Sequence, residues 1–579
     1  MRTVRSVVFG ATAIAFVLLT AAPAFAHATF EGSTPSAGSQ VSVSPKAIVL
    51  RFSEAVTVDR GAIRIVRAPK GDTVSIGKYG RENGDSATVS VPLPNLQKGV
   101  YAVVWRVISD DSHPVQGTFT FGVGNVTLNS KSADFAQQQL SKAGGGSDVV
   151  GATYAVVRFL AFAALAIVVG VSAFVVATGP EGWGSPRVRR IVWFGWGVAF
   201  ATTFAGIGLQ GAYGSGGGLG SVVKPSVIGD VLDTRFGKAW LARGILLLLA
   251  VPVLRGLQRS RNRAGVLPLA GAAIGVAIMF TPGLAGHAST GRWIGFAIPV
   301  DALHLLAMSV WFGGLLILAV EVLRSDDVDA IEPMLDLFSR MAMVAVGVII
   351  ATGAFQSVRQ VEHWNDLLNT GYGRLLLVKL GAFAAVLVVA SASRDIVRFE
   401  VRRGARAQLP SPLPVGPGAM RAAPELPDPA DTVRRLRSAV WYEIGFAITV
   451  LAVTALLVNA APIRGGSAKP YLATLTTENP NVQYDVEVTP ARVGPNQLHL
   501  TAQKPTGEEI ALVGITVTIA NPDKGIAPIT VKLLRLGTGG HYAGTGLSIP
   551  FAGKWRIDIR GLVTDVDEAA AAGEFKVSS

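Results

Sequence analysis

Eight segments, each about 20 residues long and apolar almost throughout, occupy the middle of this chain, near 152–178, 189–213, 238–256, 265–285, 296–321, 338–357, 374–393 and 439–461. Segments of that length match the hydrocarbon thickness of a bilayer, where a helix satisfies every backbone polar group internally. The pattern predicts an eight-helix membrane domain over 151–461 and makes the lipid bilayer a partner of the chain. Only 16% of the 579 residues are charged, against about a quarter in soluble domains.

Arginine placement orients the bundle. Arg187, Arg189 and Arg190 follow the first span, Arg255, Arg259, Arg261 and Arg263 the third, and Arg324 and Arg340 lie after the fifth. Nine arginines lie between Arg394 and Arg437 after the seventh. The opposite loops carry only about six basic residues, so the loops after odd-numbered spans face the cytoplasm by the positive-inside rule. Much of the net charge of +13 is therefore an orientation signal, and it gives no support for nucleic-acid binding.

The amino-terminal end agrees. Arg2 and Arg5, an apolar run from Val7 to Leu19, and Ala24-Phe25-Ala26 read as a secretory signal peptide over residues 1–26. The apolar run is short for an uncleaved anchor. Cleavage after Ala26 would leave His27 with a free α-amine beside its imidazole. Residues 27–126 then alternate polar and apolar in short runs such as 47–52, 62–66 and 101–107, separated by Gly, Pro and Ser clusters, which predicts an all-β sandwich or barrel. A Ser/Gln/Gly-rich stretch within 127–150 reads as a linker. From 462 to 579 the chain is again β-like, with runs at 484–488, 515–519 and 554–559, suggesting an immunoglobulin-like sandwich. An even number of spans puts both β domains in the outer compartment.

With no cysteine in the chain, disulfides, thiolate nucleophiles and Cys-ligated metals are excluded. Any metal relies on amine, imidazole, thioether or carboxylate. Asp111 and His113, two apart in Asp111-Ser112-His113-Pro114, project from one face of an extended strand. Joined by His27, they make a nitrogen and oxygen set suited to tetragonal Cu(II). An α-amine with a pKa of about 7.7 yields its proton to a metal at neutral pH. The same spacing also fits an Asp111 that caps a turn before Pro114, with His113 merely exposed.

His27-Ala28, Pro35-Ser36-Ala37-Gly38, Leu50-Arg51-Phe52-Ser53-Glu54 and Asp111-Ser112-His113-Pro114-Val115-Gln116-Gly117 closely resemble the CopC copper-binding family, a cupredoxin-like β-barrel. The resemblance implies Cu(II) ligation by His27, Asp111 and His113. Some members add a Met-rich loop for Cu(I), but no methionine occurs between His27 and Val150. The membrane region resembles the CopD family through Phe338 to Arg394, including Ala351-Thr352-Gly353 and the run from Thr370 to Lys379, and through His304-Leu305-Leu306 with Trp311-Phe312-Gly313-Gly314-Leu315. Together these match the fused CopC–CopD arrangement of YcnJ-type copper uptake proteins. The carboxy-terminal part is similar to small extracytoplasmic β-sandwich domains of the YtkA or FixH kind.

Ionisable residues inside a membrane are functional candidates because their insertion is costly. Asp301, His304 and Met308 fall at i, i+3 and i+7 on one helical face, with His304 roughly 12 Å below the outer end of its span. His287, beyond the outer end of the fourth span, and Met279 below it could face that group. Thioether and imidazoles suit Cu(I), whereas Asp301 suits Cu(II). Ordinary packing of the methionines, and a hydrogen bond from His304 to a neighbouring helix, explain the same residues without a metal. Arg158, Arg243 and Lys379 are expected to snorkel or to pair with Glu321, Asp301 or Glu443. His363 reads as a solvated loop residue, and His499 and His541, 42 residues apart, as structural or surface residues.

No G-x-x-x-x-G-K-[ST], G-x-S-x-G or H-E-x-x-H motif occurs, so neither ATP-driven pumping nor an enzyme is expected. The leading expectation is a copper transport or homeostasis protein. It captures Cu(II) at His27, Asp111 and His113, receives it from an extracytoplasmic copper chaperone, and passes copper through His287 and His304, inward. Two other readings compete: extracytoplasmic copper sequestration or sensing without net transport, and an electron carrier with one haem between bundle histidines.

Overall fold

The computed structural model describes residues 28–577 except 29, 36, 59–60, 111–113, 127, 129, 145–146, 261–264, 291–292, 326–327, 362–365, 370, 397–428, 460–470, 478–481, 490, 492, 505–507 and 536–538. The signal-peptide residues, His27, Asp111, His113 and His363 lie outside the described residues. Two compact units emerge. One holds residues 151–209 and 231–460, the other 25–150, 210–230 and 461–579.

In the amino-terminal part of the second unit, strands β1 (Phe30–Thr34), β2 (Gln40–Val41), β3 (Ala47–Phe52), β4 (Val56–Thr57), β5 (Ile63–Ala68), β6 (Asp72–Thr73), β7 (Thr88–Pro92), β8 (Gly99–Ser109) and β9 (Pro114–Val123) form two sheets. The smaller has the order β1-β3-β7, the larger β2-β9-β8-β5-β6 with β4 on β8. Period-2 alternation drives this. In β5, Ile63 and Ile65 are buried while Arg64 is exposed. Between the sheets the Phe30 ring stacks on Trp105 at 5.1 Å and on Phe119 at 5.9 Å, and Phe52 meets Trp105 edge-on at 5.3 Å. Gly117 pairs with Trp105 across β8 and β9, and a Cβ there would lie 2.4 Å from the indole ring, so the glycine is required by the aromatic beneath it.

The stretch read as a linker is helical instead: α1 spans Ser130–Gly144 and packs on β8 and β9. Good helix formers, Ala, Gln, Lys and Leu, dominate it, and Ser132 and Ala136 bury one turn apart on the same face.

Among the described residues, eight helices, lying mostly in the first unit, are long and apolar enough to cross a membrane: α2 (Val149–Thr178), α3 (Pro186–Ser215), α4 (Arg235–Arg259), α5 (Val266–Gly283), α6 (Ile294–Val320), α7 (Val328–Gln360), α8 (Gly371–Asp395) and α9 (Pro429–Asn459). Each overlaps an expected span. Several run longer because polar turns extend the helix past the apolar stretch, as in α9, which begins with Pro429 and includes Asp431 and Arg434. Among the eight, α6 is the most buried. Its Gly313 meets Gly170 of a π-helical turn (Ile167–Val171) inside α2, backbone to backbone. A Cβ on Gly170 would sit 1.8 Å from the Ser309 carbonyl oxygen, and one on Gly313 2.3 Å from the Gly170 carbonyl carbon. Such close packing of small residues is how helices associate where lipid removes the hydrophobic drive.

The carboxy-terminal strands β10 (Tyr471–Thr476), β11 (Gln483–Thr489), β12 (Gly494–Gln503), β13 (Gly514–Asn521), β14 (Ile526–Val531), β15 (Leu533–Arg535), β16 (His541–Ile549), β17 (Gly553–Leu562) and β18 (Glu568–Val577) form two sheets, β10-β11-β12-β16-β15 and β14-β13-β17-β18. Tyr484, Val486, Val488, Leu498 and Leu500 of the first face Val517, Ile519, Trp555, Ile557 and Phe575 of the second in one core. The mixed architecture expected from sequence, β domain, eight-helix bundle and β-sandwich, is present.

Candidate metal centre

Three polar constellations can be followed from their residues upward. At the amino-terminal β domain the described neighbours of the expected ligands converge. The Ala28 amide donates to Ser109 Oγ at 3.2 Å, and Ser109 Oγ donates to Glu54 Oε1 at 2.5 Å. Ala28 is fully buried, Ser109 ends β8, and Pro114 opens β9 opposite Ile108. The residue after His27 is thus tied to the end of β8, the strand that leads into residues 110–113. Glu54 was read only as part of a motif, and its positioning contact depends on a loop meeting a hairpin 55 residues away.

In the bundle, α6 presents Asp301 and His304 to α7. Gln356 Nε2 donates to Asp301 Oδ1 at 3.0 Å, and His304 Nδ1 lies 2.8 Å from Thr352 Oγ1, which itself donates to the Val348 carbonyl at 2.5 Å. The i, i+3 pair on α6 meets an i, i+4 pair on α7, as antiparallel neighbouring helices allow. Gly353 leaves room beside the ring, since its Cβ would stand 3.5 Å from His304 Cε1. His304 and Met308 together line a cavity of about 530 Å³, with Gln356, Lys379 and Tyr372 also on its wall. Lys379 interacts electrostatically with Asp301, one of the pairings expected.

The other two bundle residues separate from this group. His287 sits in a 3-10 turn, His287–Ser289, after α5 and is absent from the cavity wall. Met279 is buried with Ala302 and Leu305, its sulfur 4.0 Å from Ser309 Oγ, on a different side of α6 from Met308. Among the described residues no three His, Cys, Asp or Glu side chains gather around a point that could hold a metal. The remaining membrane charges find local partners. Arg158 donates to the Val458 carbonyl at 3.0 Å and covers the Tyr154 ring, while Arg243 donates to Thr281 Oγ1 at 2.7 Å and stacks on Trp240. Glu321 pairs with Arg187 at 3.7 Å, and Glu443 accepts from Ser393 at 2.6 Å.

The third constellation was missed. His499 and His541 are 4% and 2% exposed, so the surface reading fails, and His499 Nδ1 stands 3.4 Å from His541 Nε2. They lie on the outer face of the five-stranded sheet. Thr501 pairs with His541 and His499 with Ala543, making the histidines diagonal neighbours, and Glu487 lies directly opposite His499 on β11. The face is polar yet buried. Asp485 accepts from Thr474 Oγ1 at 2.5 Å and from Gln503 Nε2 at 2.8 Å, and Glu487 Oε1 accepts from Thr489 Oγ1 at 2.8 Å. Part of its cover comes from the amino-terminal domain. Gly38, at φ +68°, approaches so closely that a Cβ would lie 2.9 Å from His499 Cγ and 3.0 Å from Glu487 Oε2.

Burial governs the charges here. Desolvation pushes His499 down to about 3, helped by the neighbouring His541, and pushes His541 down to about 4. Both imidazoles are neutral at pH 7, the form that ligates metals. Desolvation also raises Asp485 and Glu487, against hydrogen bonds from Thr474, Gln503 and Thr489 that favour the carboxylates.

Three family models match stretches of the chain. Residues 30–124 match the CopC domain, 148–296 the copper resistance protein D-like N-terminal domain, and 332–457 copper resistance protein D. The chain is 25% identical over 564 residues to copper transport protein CutJ of Bacillus subtilis (strain 168), covering 96% of both. It is 36% identical over 117 residues to copper resistance protein C of Pseudomonas syringae pv. tomato, a match spanning 19% of this chain and 92% of that one. Against inner membrane protein YebZ of Escherichia coli (strain K12) it is 26% identical over 266 residues, 43% of this chain and 86% of that one.

Proposed function

This chain belongs to the CopC–CopD fusion family of copper resistance and copper transport proteins, and from that premise we propose that it captures Cu(II) outside the cell and passes copper inward through its bundle. It is a multi-pass membrane protein. In this reading it is a binding and transfer protein rather than an enzyme, with copper as cargo. His27, supplying amine and imidazole, acts with Asp111 and His113 as the Cu(II) capture set, loaded by an extracytoplasmic copper chaperone. The Ala28–Ser109–Glu54 tether supports this by holding the residue after His27 at the end of β8, the strand that leads into residues 110–113. Both β domains belong to one compact unit, which supports their lying on one side of the membrane.

The observation that carries the transfer step is the His304 face of α6. An imidazole and a thioether, His304 and Met308, line one cavity among apolar helices, next to a carboxylate held by Gln356. Soft sulfur and nitrogen donors at that depth offer an ion a stopping place that lipid does not. His287 acts in this scheme at the outer turn, ahead of His304. The test is cellular copper content under copper limitation. His304→Ala is expected to lower accumulation severalfold at unchanged protein level, and unchanged accumulation would remove the intramembrane relay.

A further inference from the structure

His499 and His541 belong to neither step just described. Their nitrogens are 3.4 Å apart, longer than the 2.9–3.0 Å typical of a hydrogen bond from a ring or amide N–H. The two rings share a long hydrogen bond in the metal-free protein, and the same distance fits two ligands of one ion. With metal–nitrogen bonds of about 2.0–2.1 Å, nitrogens 3.4 Å apart subtend about 108–116° at the metal, which brackets the tetrahedral angle. Adjacent positions of a tetragonal Cu(II) site would need about 2.9 Å by the same bond lengths.

We infer that the outer sheet face of the carboxy-terminal domain carries a second metal site, in which His499 Nδ1 and His541 Nε2 bind a tetrahedral d10 ion with Glu487 as the third donor. Glu487 stands directly opposite His499, and its Oε1 is engaged by Thr489, leaving Oε2 on the side towards His499 and Gly38. The three side chains do not share one point in the metal-free arrangement, and binding would draw Oε2 to the histidine pair by rotation about the Glu487 side-chain bonds. Both rings are neutral at pH 7, so no proton has to leave an imidazole on binding. Gly38, whose amide is fixed to the Thr120 carbonyl at 2.7 Å, closes the site from the amino-terminal domain. The d10 ions with this preference are Cu(I) and Zn(II). The site is separate from His27, Asp111 and His113 in both ligands and geometry.

The experiment uses the full-length protein in detergent with His27→Ala and His113→Ala, which remove both imidazoles of the amino-terminal set, and with His304→Ala, which removes the imidazole of the bundle cavity. Cu(I) under anaerobic conditions and Zn(II) are titrated separately against a chromophoric chelator. One equivalent is expected to bind, weakened at least tenfold by adding His499→Gln and likewise by adding His541→Gln. Tighter binding of Cu(I) assigns the site to copper, and tighter binding of Zn(II) assigns it to zinc. Binding that neither substitution weakens overturns the inference, as does no binding at all. If a glutamine variant fails to fold, X-ray absorption of the metal-loaded protein lacking His27, His113 and His304 decides: two imidazole nitrogens with an oxygen support the site, and any other set of ligands overturns it. The capture reading fails separately, if intact protein binds Cu(II) no better than the His27→Ala variant.

Discussion

The partly buried Asp301–His304 pair of the bundle and the buried His499–His541 pair of the sandwich are assembled in opposite ways. The first lies three residues apart on one helix, and its partners Thr352 and Gln356 lie four apart on the next. The second joins residues 42 apart through a strand register. That register depends on an irregularity between Asn496 and Leu498, after which Leu498 pairs with Gly544. Without the extra residue His499 would face Gly544, and His541 would pair with Ala502 on the opposite face. A slip of one residue turns every side chain of a strand over, so the pair exists only because the bulge exists. A helix face therefore advertises its site in the sequence, and a sheet face hides it.

The largest expected effect separates the two surroundings. Gly38→Ala forces a Cβ to within 2.9 Å of His499 Cγ at φ +68°, and overpacking with left-handed strain costs about 2–3 kcal/mol. Gly353→Ala, whose Cβ would make an ordinary 3.5 Å contact with His304, should change stability by less than about 1 kcal/mol. Thermal denaturation of the full-length protein in detergent reads both, and equal losses would erase the contrast between the tight sheet face and the roomier helix face.

Next in size is Asp301→Ala, which strips Gln356 of its acceptor and Lys379 of its opposing charge, for about 1–3 kcal/mol. Asp301→Asn keeps an oxygen for Gln356 and should lose less. Matching losses in the two variants would shift the weight from the hydrogen bond to the charge facing Lys379.

A last effect is a pH slope confined to the sandwich. With folded values of about 3 and 4, well below the ordinary histidine value, the unfolded chain binds protons first as pH falls below about 6.5. Stability is then lost from about pH 6.5 down to about pH 4 for His541 and about pH 3 for His499, by up to about 1.4 kcal/mol per pH unit for each. Asp485 and Glu487, raised by burial, act with the opposite sign, but they are common to wild type and variant. Denaturant midpoints of wild type and of His499→Gln with His541→Gln, measured from pH 7 to pH 5, should diverge as pH falls. Parallel curves would mean that the pair is not held neutral by the fold.

Legibility followed the range of the interactions. Asp301, His304 and Met308 were readable as one face, and the Lys379–Asp301 pairing was among those expected. The separation of Met279 from Met308 was not readable, because it depends on how α6 is rotated between its neighbours, which the Gly170–Gly313 contact fixes. The helix in the supposed linker was hidden by its Ser/Gln/Gly content, since one buried residue per turn, Ala136 with Ser132, gives a weak periodic signal.

By itself the sequence determined the eight spans, their orientation signal, two flanking β domains and a metal chemistry without thiols. These depend on local hydrophobicity, period-2 alternation, arginine placement and composition, all of which are properties of neighbouring residues. Only the tertiary structure decided that Ser109 ties Ala28 to Glu54, that His304 leans on Thr352 over a cavity, and that His499 meets His541 under Gly38. Each of those contacts joins residues far apart in the chain, and their meeting is set by register, helix rotation and close backbone approach, which local patterns do not encode.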